Sequence, residues 1–306
     1  MKVIVTGGAG FLGQYVVSEL EHRGHRAIVV RSFDYDLREK VDCDRLFFRH
    51  FDADAVVHLA ATVGGIGANQ QDPGIFFLEN ILMGVHVMEI ARAHGINSYL
   101  QAGTVCSYPK HCPVPFKESD LWEGYPEETN APYGVAKRAL ITMAQAYRQQ
   151  YGMAAVTVIP VNLYGPGDHD DLERSHVIPA MIRKFMEAKA QGEKKVVLWG
   201  TGTATREFLY VEDAAQGIVA ALEKYDSPEP VNLGSSDEIS IHDLACLISA
   251  LVGFDGKIEF DPSRPDGQPR RKLDVTRARD AFGWTSKTNL TDGLKKTIES
   301  VQGKYS

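Results

Sequence analysis

Seven residues near the start of the chain, Gly7-Gly8-Ala9-Gly10-Phe11-Leu12-Gly13, constrain it more than any other feature. They follow a β-branched run, Lys2–Thr6, and lead into a helical pattern over Leu12–Arg23 that ends near Gly24; a second strand pattern follows at Ala27–Arg31. Glycines at 7, 10 and 13 give such a turn its backbone freedom and let a pyrophosphate approach the amides that open the helix. Glycine-rich turns are common, and the spacing alone is weak. Strand, glycines, helix and second strand in this order supply the context that favours dinucleotide binding over a purely structural turn.

The same alternation continues. Glu39–Phe51 reads as a helix, Ala55–Ala60 as a strand, Phe76–His94 as a helix closed by Gly95, Ser98–Ala102 as a strand, Tyr133–Tyr151 as a helix stopped by Gly152, and Ala155–Val161 as a strand. Continuous apolar strands are what a parallel sheet buried on both faces requires. Beyond Asn162 the pattern loosens into helices at His176–Ala190, Val211–Glu223 and Ile241–Leu251. They are separated by glycine- and proline-rich connections, Leu163–Asp171 and Asp261–Pro269. The expected fold is α/β: a Rossmann-type doubly wound parallel sheet over residues 1–165, and a smaller C-terminal α/β domain for substrate over 166–306, with some crossover of segments.

Composition excludes several classes. With Lys plus Arg at 33 against Asp plus Glu at 40, the 306-residue chain carries a formal charge of −7, so it lacks the basic footprint of a nucleic-acid binder. The greasiest stretch, read as Ala55–Val63, falls short of the roughly 18–20 apolar residues of a membrane span. A strand beginning at Lys2 leaves no room for a cleavable leader. Cys43, Cys106, Cys112 and Cys246 are scattered, without a Cys-x-x-Cys pair, so neither a disulfide framework nor a metal site is expected, and a cytoplasmic setting is.

Several residues suit chemistry on a small molecule. Arg31-Ser32 ends the second strand where an NAD-selective site would carry an acid; an arginine with a hydroxyl suits the 2′-phosphate of NADP, the alternative being a solvated strand-end charge. Asp36-Leu37 follow, in order for the adenine edge. Pro160, Asn162 and Leu163 lie at a strand end, where open α/β sheets bind ligands, and are expected at the nicotinamide end. Tyr133 and Lys137, four apart on a helix, share one face, and a lysine charge beside a phenol favours proton exchange nearer neutrality. Tyr-x-x-x-Lys is common as a core tyrosine beside a surface lysine. Thr104, just after the Ser98–Ala102 strand, raises its standing by offering a hydroxyl to a substrate carbonyl. On an extended segment, Cys106 two residues on would face the same side as Thr104.

With the glycine loop, Thr104, Tyr133 and Lys137, the chain resembles the extended short-chain dehydrogenase/reductases. It is more closely similar to their GDP-L-fucose synthase family, epimerase-reductases of GDP-4-keto-6-deoxy-mannose. The matching stretches are His58-Leu-Ala-Ala-Thr-Val-Gly-Gly-Ile-Gly67, Cys106-Ser-Tyr-Pro-Lys110, Asn162-Leu-Tyr-Gly-Pro166, Ser175-His-Val-Ile-Pro179, Trp199-Gly-Thr-Gly202, Arg206-Glu-Phe208 and Arg264-Pro-Asp-Gly-Gln-Pro-Arg-Arg-Lys-Leu-Asp274. They extend from residue 7 to about 275. The blocks around Val63-Gly64-Gly65 and Ser175–Pro179 are the more family-specific.

The resemblance implies an NADP(H)-dependent oxidoreductase and isomerase of GDP-fucose biosynthesis, acting on a nucleotide-diphospho-4-keto-6-deoxy-hexose. Tyr133 would protonate the carbonyl oxygen, Lys137 would support it and the cofactor ribose, and Thr104 stands where the family usually carries serine. Cys106 and His176 match the pair that exchanges protons at carbons 3 and 5; read bare, they are more often an inert buried thiol and a core or capping histidine. Gly7, Gly10, Phe11, Leu12, Gly13, Arg31, Asp36, Leu37, Leu59, Ala60, Ala61, Lys137, Pro160, Asn162, Leu163 and His176 would line the cofactor. Lys184, Trp199, Arg206, Asp266 and Arg271 would hold the nucleotide sugar, the arginines as planar forks for phosphate. Ala9 departs from relatives that place a 2′-phosphate contact there, leaving more of that work to Arg31, and an exchange of Lys184 or Arg271 for the other basic type would retune the phosphate geometry. The competing readings are a 4-ketoreductase without epimerisation and a redox-neutral nucleotide-sugar 4-epimerase. The superfamily also implies a homodimer through Phe76–His94 and Tyr133–Tyr151, with Gly84, Val87, Ala91, Ala139 and Met143 facing outward or forming core.

Overall fold

A computed structural model of the protein describes residues 1–169, 176–264 and 266–305. Ser175 and Pro265 of the matching stretches, and residues 170–171 of the first connection, lie outside the described residues. The first part alternates β1 (Lys2–Thr6), α1 (Phe11–His22), β2 (Arg26–Val30), α2 (Lys40–Arg49), β3 (Ala55–His58), α3 (Ile66–Gln71), α4 (Pro73–Ala93), β4 (Ser98–Ala102), α5 (Ala131–Tyr151) and β5 (Ala154–Pro160). There follow β6 (Asn162–Tyr164), α6 (Val177–Ala190), β7 (Lys195–Trp199), β8 (Thr205–Tyr210), α7 (Val211–Lys224) and β9 (Val231–Leu233). The chain closes with β10 (Glu238–Ser240), α8 (Ile241–Val252), β11 (Lys257–Asp261), β12 (Arg270–Arg271), α9 (Thr276–Phe282) and α10 (Leu290–Val301).

The main sheet has the order β2-β1-β3-β4-β5-β9 and is parallel throughout. The alternation of side chains along a strand decides its two cores. Val3 and Val5 of β1 pack with Val16 and Leu20 of α1 and with Ile218 of α7; Ile4 between them points the other way, to Leu46 of α2 and Met88 of α4. Both faces are covered, as the apolar strand runs require. The order reverses between β1 and β3, and the crevice at that switch point is where such sheets bind ligands.

The two parts of the chain interleave. β9 pairs with β5, and α7 packs beside α1, so residues beyond 166 supply a strand and a covering helix to the first sheet. The smaller sheet centres on β8: β10 runs antiparallel along one edge, while β12 and β6 share the other in parallel. β7 and β11 form a separate parallel pair. A further core under these strands gathers Phe185 of α6, Phe208 and Ile248 of α8.

One expectation needs correction, and one open choice is decided. The longest apolar segment is not Ala55–Val63 but α4, which by length and composition matches a membrane span. In the fold it is a core helix, burying Phe76, Gly84, Val87, Met88, Ile90 and Ala91. Gly84, Val87 and Ala91 accordingly face inward: a Cβ on Gly84 would stand 2.2 Å from Cδ1 of Leu140, so its missing side chain is what lets α5 lie against α4. The exposed apolar residues of this helix are Ile75, Phe77 and Leu78.

Candidate active site

One cleft runs across the C-terminal ends of the sheet strands and continues beneath the smaller sheet. Its volume, about 1310 Å³, exceeds the roughly 300–1,000 Å³ of a single-ligand pocket. Every site residue anticipated above lines it, although they are spread from Gly7 to Arg271.

At one end the wall is backbone. Gly7 has φ +69°, and a Cβ on it would press to 2.8 Å from the Ala60 nitrogen; a Cβ on Gly13 would stand 2.0 Å from the Gly7 carbonyl oxygen. Neither position tolerates a side chain without moving backbone. The helix α1 therefore starts hard against the loop, with Gly10 at its N-cap and no side chain capping it, which leaves the first-turn amides to the cleft. A cradle of this kind fits a dinucleotide pyrophosphate. Arg31 and Ser32 lie exposed at the end of β2, the guanidinium 5.9 Å from the centre of the Phe33 ring. Asp36 is engaged elsewhere, its carboxylate accepting hydrogen bonds from the Arg38 guanidinium, which also reaches Glu79. Glu79 in turn accepts from Thr62. Sequence reading missed this Arg38–Glu79–Thr62 chain, because its members are separated by up to 41 residues and meet only when α4 packs beside the β2 loop.

The centre of the cleft joins β4 to α5. Thr104 is extended, but Val105–Ser107 form a short 3₁₀ turn, so the expected strand-like alternation fails there. Thr104 and Cys106 are instead brought together by the turn: Thr104 Oγ1 accepts from the Cys106 amide at 3.2 Å. Gly134 makes the junction possible, since a Cβ on it would stand 2.3 Å from the Cys106 carbonyl oxygen. Ser107 Oγ donates to the Gly134 carbonyl at 3.1 Å, pinning the turn to the first helical residues beside Tyr133.

The electrostatics at this centre also differ from expectation. Burial pushes the Tyr133 phenol well above its usual pKa, Cys106 adds to the rise, and a hydrogen bond with Thr104 offsets only part of it. The phenol is thus held in its acid form. Lys137 is buried too, which lowers it to about 8, and its ammonium donates to the Ala102 carbonyl at 3.1 Å instead of reaching the phenol. Below it His58 is fully buried and neutral, lowered to about 3 by burial and by the charge of Lys137. Its Nδ1 is 2.7 Å from Thr6 Oγ1.

The far end is built from side chains. Arg206 and Arg271 are buried neighbours on β8 and β12, paired in register. Arg206 donates to the carbonyl oxygens of Thr205 and Asp266, Arg271 to the side-chain oxygens of Gln268 and Asn162. Among the described residues neither pairs with a carboxylate. Burial and the charge of Arg271 lower Arg206 to about 9, which leaves Arg206 cationic at neutral pH. Two buried guanidiniums with only neutral partners make a site for an anion. Lys184 donates to the Val197 carbonyl at 3.1 Å, and half-exposed Trp199 stacks with Arg264 at 4.8 Å. The Asp266 carboxylate is spent on the β7–β8 connection, accepting from the amide and hydroxyl of Thr201. Arg270, next to Arg271 in the chain, turns away to pair with Glu238.

His176 stands at the N-cap of α6 with its ring half exposed to the cleft. Asp168, unremarked in the sequence, lies nearby with its carboxylate buried; the only signal was its place after Gly165-Pro166-Gly167.

A doubly wound sheet with a glycine cradle, a hydroxyl–phenol–ammonium centre and an anion site defines a dinucleotide-dependent class of enzyme. The chain belongs to the NAD dependent epimerase/dehydratase family, whose profile matches residues 3–234. Within it, the chain is 41% identical to GDP-L-fucose synthase 1 of Arabidopsis thaliana over 97% of its own length and 92% of that protein's. Among solved structures, a GDP-L-fucose synthetase from Naegleria fowleri bound to NADP aligns with a TM-score of 0.89 at 29% identity, covering 99% of this chain and 94% of the other. A GDP-6-OMe-4-keto-L-xylo-heptose reductase from C. jejuni aligns with a TM-score of 0.93 at 26% identity, covering 99% and 98%.

Proposed function

We propose that this enzyme uses NADPH to reduce the ketone of a GDP-linked 4-keto-6-deoxy-hexose after exchanging protons at carbons 3 and 5, the work of a GDP-L-fucose synthase. The observation that carries the reading is one cleft holding Thr104, Cys106, Tyr133, Lys137 and His176 between a glycine cradle and two arginines that have no carboxylate partner among the described residues.

NADPH, when bound, supplies the hydride. The Gly7–Gly13 loop and α1 amides hold its pyrophosphate, Arg31 and Ser32 its 2′-phosphate, and Lys137 its ribose. Arg206 and Arg271 hold the sugar diphosphate, with Lys184 and Trp199 toward the base. A 4-keto group acidifies the C–H bonds on either side, and Cys106 and His176 exchange those protons. Tyr133, kept protonated by burial, then donates to the carbonyl oxygen, which Thr104 holds by its hydroxyl. The chain acts in the cytoplasm as a homodimer. Its seam lies on the outer face of α4, where Ile75, Phe77 and Leu78 are exposed, against α5.

The test is a panel of 4-keto-sugar nucleotides with NADPH, followed at 340 nm in deuterium oxide, with products read by NMR. Deuterium at carbons 3 and 5 together with NADPH oxidation is the expected result. The resemblance to a 4-keto-heptose reductase motivates a second reading, reduction without inversion. NADPH oxidation with no deuterium at those carbons would establish it in place of the first.

A further inference from the structure

We propose that Asp168 is the positioning residue of His176, holding its imidazole in the Nδ1–H tautomer so that Nε2 faces the sugar. The inference rests on the reading of His176 as a proton-exchange group. The Asp168 side chain is only 4% exposed. Its Oδ1 accepts from the His169 amide at 2.8 Å, while Oδ2 has no hydrogen-bond partner among the described residues. A buried carboxylate oxygen left unpaired is costly, so a fold that retains one does so against a specific group. The group it faces is His176 Nδ1, 3.8 Å away.

The turn that carries Asp168 is held from the cofactor side. Gly167 adopts φ +86°, and a Cβ there would stand 2.8 Å from the Gln14 side chain. Tyr15 of α1 donates its hydroxyl proton to the Pro166 carbonyl at 2.8 Å. The carboxylate is thereby fixed to the helix that opens the glycine cradle, whereas His176 opens α6 of the substrate half. At 3.8 Å the pair is longer than a hydrogen bond of about 2.7–3.2 Å, as catalytic hydrogen bonds often are before substrate binds and tightens them. A carboxylate on one ring nitrogen fixes the tautomer and steadies the imidazolium formed when the other nitrogen takes a proton; replacing it by an amide favours the wrong tautomer.

The experiment is 15N NMR of the full-length protein labelled at histidine, with His176 assigned by its loss in His176→Gln. Neutral His176 should be mainly Nδ1–H in the native enzyme, mainly Nε2–H in Asp168→Asn, and mainly Nδ1–H again in Asp168→Glu. Deuterium exchange at one of the two sugar carbons should fall about 100-fold in Asp168→Asn, as expected for a misplaced proton-transfer group. NADPH affinity should stay within about threefold. A native His176 that is mainly Nε2–H overturns the proposal without any variant, as does unchanged exchange in Asp168→Asn. Native enzyme that reduces the ketone without exchanging deuterium breaks the functional reading instead, and the tautomer comparison still decides the role of Asp168.

Discussion

The two ends of the cleft are built to meet charge by different means. At the glycine loop the site is backbone: helix amides and strand ends, with side chains forbidden at Gly7 and Gly13. At the other end it is side chain: Arg206, Arg271 and Lys184 projecting from the elements of the smaller sheet and α6, their donors partly spent on carbonyl and amide oxygens. A backbone site is rigid and local, because seven consecutive residues make it. The side-chain site is assembled, because β8 must bring β12 and β6 to one edge before Arg271 can meet Asn162. Damage should therefore segregate by end.

The largest effect belongs to the centre, where both ends act together. Tyr133→Phe should lower ketone reduction about 10²- to 10⁴-fold, the usual worth of a general acid, while NADPH and GDP still bind. Loss of either binding along with turnover would mean that Tyr133 supports the fold instead. Next, Gly13→Val places a branched side chain where a single Cβ already stands 2.0 Å from a backbone oxygen. NADPH affinity should drop at least about 100-fold, since the loop and helix can no longer close on the pyrophosphate. GDP affinity by calorimetry should hold, and a parallel loss would dissolve the distinction between the ends.

The reciprocal change is Arg206→Ala. Removing one charge-assisted fork of about 1.5–3 kcal/mol should weaken GDP binding roughly 10- to 150-fold, with NADPH titration unaltered. Arg31→Asp should be smaller still, erasing a preference for NADPH over NADH of about tenfold and leaving GDP alone. Equal affinity of the native enzyme for the two cofactors would refute the assignment of Arg31.

The smallest effect is on stability and carries a pH signature. Burial lowers Lys137 from 10.5 to about 8, so the folded state holds the ammonium less tightly than the unfolded chain. The unfolded state binds more protons between these values, and stability from this group rises with pH across that window; below about 8 the full penalty of the buried charge is present. Lys137→Met should therefore raise the melting temperature at pH 7 by a few degrees while abolishing reduction. Its advantage over the native protein should shrink as the pH climbs from 8 towards 10. An advantage independent of pH would place the gain in packing.

The legibility of the protein follows the same division. The glycine loop, the apolar strands and Tyr133 with Lys137 were readable because their periods of 2 and 3.6 and their i, i+4 spacing are local. The strand-like alternation assumed at Thr104–Cys106 was wrong because Val105–Ser107 close into a turn against Gly134, a contact 27 or more residues away along the chain. Arg38 with Glu79, and Asp168 beside His176, were invisible, since nothing near each residue in the chain marks its partner.

By itself, then, the sequence determined the parallel sheet and the nucleotide cradle, and it singled out the candidate side chains for the centre of the cleft. Backbone geometry and hydrophobic period are properties of neighbouring residues. Only the tertiary structure decided how those groups are charged and aimed. Burial keeps the Tyr133 phenol protonated, draws Lys137 down to about 8 and turns its ammonium toward Ala102. It also leaves Arg206 and Arg271 side by side with no carboxylate paired to either among the described residues. Desolvation and long-range pairing depend on every element that closes over a group, and no stretch of the chain contains that information until it is folded.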